Sequence, residues 1–373
     1  MSTERITLHT YVQSADVPYA AWARLLRPED LYLDEHWLRV AERTAGCPMR
    51  YALLHRGGVP VAGLATALAD KRAPWVLARP DTLLEFSAKD GRPGAGELLE
   101  ALPGTPADAL LPTLVCGGRH MGRSRVVARP EVTHPDVEAL VAWAEELAVE
   151  QGAASVAYPF VEESDKVLRQ VLRERGYLSH ESGRYSMLSV PPGGFDDYLL
   201  QVSAHRRSRI LTERRRISEA GIRMRIELLR AELIPRLGEL EYQLMEKYGV
   251  AWSPEQTGQV LGEMLAEFGE DVRVVLAEGD GEVRGFATIL QFRGHWYARQ
   301  SGFDYAYQDK LGKLPLYFET VYYFPVEEAA RLGISTIHYG LGSEGAKLSR
   351  GCTAEPQYSY LLPVGPLGKT LRG

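Results

Sequence analysis

Cysteine is scarce in this chain: three in 373 residues, Cys47, Cys116 and Cys352, with no ligand-like spacing. An odd, scattered set excludes a disulfide framework and offers no zinc site, so each cysteine is read as a packing residue. Long apolar runs are missing as well. No stretch approaches the roughly 18 residues that a spanning helix needs, and the opening MSTERITLHT has no apolar centre such as a signal peptide carries. The expectation is a cytoplasmic protein without a membrane span. Positive charge is not in excess either. With 43 Lys and Arg against 49 Asp and Glu the net charge is -6, which argues against a surface coated in nucleic acid but leaves room for a local basic patch. What is present is globular: 45% hydrophobic and 25% charged residues, in a length that suggests two domains.

The chain repeats itself. VAGLATAL (61–68) is echoed by VRGFATIL (283–290), QGAASVAYP (151–159) by LGISTIHYG (332–340), and RGYLSHESGRYSM (175–187) by RGCTAEPQYSY (350–360). The three echoes are collinear. Each copy alternates like a half-buried strand in the first echo and runs from an amphipathic helix through a glycine stop into a short strand in the second. In the second copy strands are expected near 222–228, 272–278, 283–292, 295–302, 335–340 and 357–363, and helices near 233–248, 254–268, 314–332 and 343–350. Pro325 should kink or divide the third of these helices. The first copy has helices expected near 17–26, 34–44, 135–151 and 163–175, and an inserted, partly irregular excursion near 69–111. The pattern is α/β with mixed sheets, divided into domains 1–192 and 193–373.

Two basic features stand out. Between the copies, HRRSRILTERRR packs six arginines and His205 against the single acid Glu213. Such a helix favours phosphates, unless the arginines are solvated or paired within the chain. Near the end, YGLGSEGAKLSRG places Lys347 and Arg350 on one face of a short helix, with Ser343 as its expected N-cap and Gly351 as its stop. The bland alternative for that pair is a solvated helix face.

This order resembles the GNAT acyltransferase fold in tandem, and the stretch from Gly302 to Gly351 resembles the FemAB-like and BioF2-like group, whose Fem-type members join amino acids to amines with aminoacyl-tRNA as donor. Those proteins have two GNAT-like halves, a basic crossover helix and a Lys and Gly motif after the fifth strand. Here the crossover is residues 195–222 and the motif is AKLSRG, with Ala346 and Arg350 where the Fem ligases have aromatic residues.

The resemblance implies a cleft in the second copy, where the fourth and fifth strands part, between WYARQSG (296–302) and IHYG (337–340). Amide formation there needs a proton acceptor and donors for a developing oxyanion. Lys347, Asp304 and Tyr339 are the catalytic candidates: Lys347 to stabilise charge on the donor carbonyl, Asp304 to hold the acceptor ammonium or take its proton. Arg299, Gln300, Tyr305, His338, Glu344 and Arg350 are the substrate-binding candidates. Arg206, Arg207, Arg214, Arg215, Lys310 and Lys313 are the candidates for donor phosphates. For His338 and Tyr339 the alternative is a packing role.

Acetyl-CoA enzymes of this superfamily hold pyrophosphate on a glycine loop at the start of the third helix. YQDKLGKLPLYF lacks that pattern, and RHMGRS (119–124) in the first copy fits it loosely. The expected activity is therefore an aminoacyltransferase using aminoacyl-tRNA, held by its acceptor stem, on a small amine or peptide acceptor, with no tightly bound cofactor and no metal. An acyl-CoA N-acyltransferase and a non-catalytic GNAT-fold ligand-binding protein remain as alternatives. Neither the acceptor nor the oligomeric state is legible.

Overall fold

The computed structural model describes residues 5–73, 79–118 and 122–364. The chain divides into two compact units, Met1–Tyr185 with Glu355–Gly373, and Ser186–Ala354.

The first unit contains, in order, β1 (Ile6–Tyr11), α1 (Tyr19–Trp22), α2 (Glu35–Thr44), β2 (Met49–Arg56), β3 (Val59–Ala69), α3 (Pro80–Lys89), α4 (Ala95–Ala101), α5 (Pro106–Leu110), β4 (Thr113–Cys116), β5 (Val127–Ala128), α6 (His134–Glu150), β6 (Ser155–Glu162), α7 (Lys166–Glu174) and β7 (Leu178–Ser189), which runs on into the second unit. The sheet runs β1-β2-β3-β4-β6 with β4 and β6 parallel and the other pairs antiparallel. A parallel pair needs a crossover, which α6 supplies. Its start is fixed by a capping box in which Thr133 and Asp136 satisfy each other's backbone N–H groups. The expected excursion after β3 carries three helices, α3 to α5, so its proline and glycine content marks helix ends rather than irregular chain; residues 74–78 of it lie outside the described residues.

In the second unit follow α8 (Gly194–Gln201), α9 (Ala204–Glu219), β8 (Arg223–Leu228), α10 (Ile234–Lys247), α11 (Pro254–Phe268), β9 (Val272–Gly279), β10 (Glu282–Phe292), β11 (His295–Phe303), α12 (Tyr305–Lys310), α13 (Leu316–Phe318), α14 (Phe324–Arg331), β12 (Thr336–Gly340), α15 (Glu344–Leu348) and the first residues of β13 (Thr353–Pro363). The order β8-β9-β10-β11-β12 repeats the first unit's plan, again with the fourth and fifth strands parallel. Between α13 and α14 lies one π turn, Glu319–Tyr323, just before Pro325. Pro325 has no N–H for the Val321 carbonyl, so the helix widens and divides there.

The domain boundary differs from the one expected at 192/193, because the terminal strands are exchanged. The last antiparallel neighbour of β12 is the end of β7, with Ile337 opposite Leu188. The last neighbour of β6 is β13, with Leu361 opposite Ala157. Each sheet is thus completed by a strand from the other half of the chain.

The second unit's sheet has two covered faces. On one, Trp296, Ile289 and Ile337 pack with Ile210 and Ile217 of α9 and with Tyr322, Tyr323 and Val326. Against the other lies α10, so close to β11 that a Cβ on Gly302 would fall 2.3 Å from the backbone nitrogen of Glu241.

Candidate active site

β11 and β12 pair only from His295 to Tyr297 and from Thr336 to His338. Beyond that they part. β11 also bulges: Ala287 faces Ser301 and Ile289 faces Ala298, so Thr288 stands opposite both Arg299 and Gln300. The bulge is held by the Thr288 hydroxyl, which accepts the Gln300 N–H at 3.0 Å. A cavity of about 160 Å³ lies in the opening, lined by Ala298 to Ser301 from β11, by Tyr339, Leu341, Ser343 and Lys347 from the β12 side, and by Ala287, Tyr317, Val321 and Tyr322. Pockets for whole small ligands run from about 300 Å³ upward, so this one is sized for reacting groups only.

Of the catalytic candidates, Tyr339 and Lys347 reach the cavity and Asp304 does not. Tyr339 is buried, with its ring 4.7 Å from that of Tyr322, and its hydroxyl has no hydrogen-bond partner among the described residues. Burial holds that hydroxyl well above the usual tyrosine pKa, so it remains a donor at neutral pH. Beside it the hydroxyls of Tyr317 and Tyr322 lie 3.3 Å apart. Neither of these tyrosines was expected at the site; both belong to the helical stretch around the π turn, where aromatic residues read as core.

Lys347 is 4% exposed, and its ammonium donates to three backbone carbonyls, of Tyr339 at 2.7 Å, Gly340 at 2.9 Å and Leu341 at 2.6 Å. Desolvation pulls its pKa down to about 8. All three protons are engaged, which corrects the expectation of an ammonium aimed at the donor carbonyl. Lys347 instead fixes the backbone of the cleft wall. Arg350 is also turned inward: it is 3% exposed, donates from Nε to the Tyr323 hydroxyl at 3.1 Å and from Nη1 to the Ala346 carbonyl at 3.0 Å, and lies 3.5 Å over the Phe318 ring. It packs the short helix onto the core and does not line the cavity.

Asp304 is the N-cap of α12, accepting the Tyr307 N–H at 2.9 Å, and its other oxygen lies 3.0 Å from Arg284 and 3.5 Å from Arg236. Both carboxylate oxygens are engaged within the chain, so the structure assigns Asp304 a capping and pairing role. His338 is buried against Tyr297, 4.2 Å ring to ring, and within 2.9 Å of His295 Nδ1, so the packing alternative holds for it. Glu344 opens α15 and does not line the cavity. Ser343 occupies the N-cap position but in a left-handed conformation and without a side-chain capping bond.

The basic helix is mostly engaged within the chain. Arg207 donates to the Leu199 carbonyl at 2.8 Å, and Arg214 pairs with Glu319 at 3.1 Å and Glu327 at 2.6 Å while covering the Phe195 ring. These two are therefore not phosphate ligands in this arrangement. Among the described residues Arg215 makes only an exposed pair with Glu219 at 3.8 Å, and Arg206 makes no ion pair. A second, more open cleft of about 550 Å³ is lined by Gln243, Glu246, Lys247, Tyr305, Gln308, Asp309, Lys313 and Leu314. Tyr305 belongs to it, under the Lys247 ammonium at 4.2 Å, as does Lys313, while Lys310 is exposed at the end of α12.

In the first unit the corresponding strands, β4 and β6, also part after Val115 and Ala157. There the opening is taken up by chain: the Ser124 N–H donates to the Phe160 carbonyl, Gln357 donates to the Gly122 carbonyl, and Arg123 is buried on Glu162 at 2.6 Å. Arg123 of the RHMGRS run is thus engaged, and residues 119–121 of it lie outside the described residues. Among the described residues no helix is long and apolar enough to cross a membrane.

The sequence matches the FemAB-like family, described as peptidoglycan biosynthesis/recognition, over residues 120–366. The fold is similar to that of FemX, with 12% identity, 98% of each chain covered and a TM-score of 0.63. It is also similar to a tandem GNAT protein from the clavulanic acid biosynthesis pathway, at 14% identity, 97% of this chain and 99% of that chain, and a TM-score of 0.55. A conserved protein of unknown function from Bacteroides thetaiotaomicron gives the same TM-score, 0.55, at 10% identity over 93% of this chain and 98% of that one. These likenesses show the fold: two GNAT-like domains in tandem. No curated protein sequence matches the chain significantly.

Proposed function

We propose, from the premise that this chain belongs to the FemAB-like family, that this transferase forms an amide bond by moving an aminoacyl group from aminoacyl-tRNA to the amine of a peptide-like acceptor related to peptidoglycan. The observation that carries the reading is Tyr339 on the wall of the cavity where β11 and β12 part, with a buried, protonated hydroxyl that has no hydrogen-bond partner among the described residues. The neutral acceptor amine attacks the ester carbonyl carbon, and the carbonyl pair moves to oxygen. The Tyr339 hydroxyl donates a hydrogen bond to that oxygen. Collapse of the tetrahedral species expels the ribose oxygen, which leaves with the proton given up by the amine. Gln300 and Arg299 wall the cavity from the β11 side, and Lys347 holds the opposite wall in place.

Acyl-CoA is the second reading. The 550 Å³ cleft beside α12 favours it, since Lys313 lies near the start of the third helix, where coenzyme phosphates sit in acetyl-CoA enzymes of this fold. Glu246 and Asp309 line the same cleft and oppose a phosphate there. The test is to give the purified protein charged tRNA or acetyl-CoA, each with a peptidoglycan precursor peptide, and to follow deacylation, thioester release and amide product in parallel. Amide product from charged tRNA is expected. Product from acetyl-CoA alone transfers the conclusion to the second reading, and no product from either rejects both.

A further inference from the structure

Adjacent residues of α9 hold the two ends of the π turn. Arg214 Nε donates to the Glu319 carboxylate at 3.1 Å, and the Tyr323 hydroxyl donates to Glu213 Oε2 at 2.6 Å; Glu319 and Tyr323 are the first and last residues of the turn. The Tyr323 hydroxyl also accepts the Arg350 Nε–H at 3.1 Å, so one oxygen joins α9, the turn and the segment after α15. Glu213, Glu319, Tyr323 and Arg350 are all buried. Buried polar groups persist where they are bonded, and here each bond ties two elements together. From the same turn Val321 and Tyr322 line the cavity, and the Tyr322 ring lies 4.7 Å from that of Tyr339.

We propose that Tyr323 is a positioning residue for the cleft: bonded to Glu213 on one side and to Arg350 on the other, it keeps the π turn in the register that packs Tyr322 on Tyr339 and so fixes the Tyr339 ring on the cavity wall. The turn is wide, with the Phe324 N–H reaching back five residues to the Glu319 carbonyl. The extra residue of a π turn re-aims the side chains beyond it, and single turns of this kind recur at functional sites. Pro325 accounts for the widening, but not for the grip of α9 on both ends. Burial, and next the bond to Glu213, raise the Tyr323 pKa well above the usual tyrosine value, so the hydroxyl stays a donor at neutral pH. Glu213 keeps Arg209 at 3.1 Å on its other oxygen, so loss of the Tyr323 hydroxyl does not leave the carboxylate bare. The role of Tyr323 in turnover rests on the acyltransfer reading; its hold on Tyr339 does not.

The test is Tyr323→Phe, which removes the hydroxyl and keeps the ring in the core. In protein labelled with 13Cζ-tyrosine, the Tyr339 NMR signal is assigned by its loss in Tyr339→Phe. In Tyr323→Phe that signal is expected to shift, and a signal at the wild-type position overturns the proposal. Amide formation from charged tRNA should fall about tenfold in kcat with little change in KM. In a Tyr339→Phe background the same substitution should cost less than about twofold, because the group it positions is already gone. An equal cost in both backgrounds means that Tyr323 does not act through Tyr339 and overturns the proposal, as does a shifted signal with wild-type turnover. Should Tyr323→Phe fail to fold, Glu213→Gln replaces a charge-assisted bond by a neutral one; the Tyr339 signal should again move, and an unmoved signal rejects the positioning role. If the signal moves as described but neither donor yields amide, the hold on Tyr339 stands and the acyltransfer reading fails.

Discussion

The Lys347 ammonium lies 2.7 Å from the carbonyl oxygen of Tyr339, a cavity-lining residue whose buried hydroxyl has no partner among the described residues. One side chain thus fixes the backbone that presents the other. Lys347 acts on the wall of the cleft, and Tyr339 is left to act inside it.

Lys347→Met removes the ammonium from three carbonyls, one buried and two partly buried. Each carbonyl left without a donor costs about 1–3 kcal/mol, partly recovered by relaxation. A net loss of about 2–4 kcal/mol in urea unfolding is expected, together with lower turnover. A variant as stable as the wild type would mean that these carbonyls find other donors.

The arginines of α9 separate by what they touch. Replacing Arg214 leaves the buried Glu319 without its partner, and breaking such a pair costs about 3–5 kcal/mol when fully buried, less here because Arg214 is partly exposed. Replacing Arg206 and Arg215 together should leave stability unchanged. It should also flatten the log-log salt dependence of tRNA binding by about 1–2 units. Urea unfolding checks the first half and filter binding across a salt series the second, and an unchanged slope in the double variant would remove α9 from the donor site.

Much of this was legible in sequence. Period-2 runs and glycine stops mark β10, β11 and β12, so the cleft between the last two could be located and Arg299, Gln300 and Tyr339 assigned to it. The exchange of β7 and β13 was not legible, because the same alternating strand can add to either sheet and nothing local chooses between them. Lys347 was placed on the correct element with the wrong partner: a lysine near a cleft reads as a free cation, and the three carbonyls that bind it depend on how the chain turns at Gly340 and Gly342. Arg350 was misread for a related reason, since the ring of Phe318 that receives it comes from a distant helix. Glu241 did leave a signal, a carboxylate within the apolar stripe of α10.

Stability should depend on pH through Glu241. Its pKa rises from 4.5 to about 7 on folding, so between those values the folded state binds more protons than the unfolded one. The stabilising contribution is full below about pH 4.5 and is lost as pH rises through 7. Glu241→Gln stays neutral throughout, so its stability relative to the wild type should increase by up to about 3 kcal/mol from pH 5 to 8. Urea midpoints for both proteins across that range check this, and a difference independent of pH would place the ionised form in a better environment than the burial of Glu241 allows.

The central claim, that acyl transfer occurs where β11 and β12 part, is tested most directly by Tyr339→Phe. The substitution removes one unpartnered hydroxyl and keeps the ring against Tyr322, so folding stability should be unchanged. If the hydroxyl stabilises the oxyanion, amide formation from charged tRNA should fall by about 10² to 10³ in kcat with little change in KM. A variant that folds normally and makes amide at the wild-type rate would contradict the account.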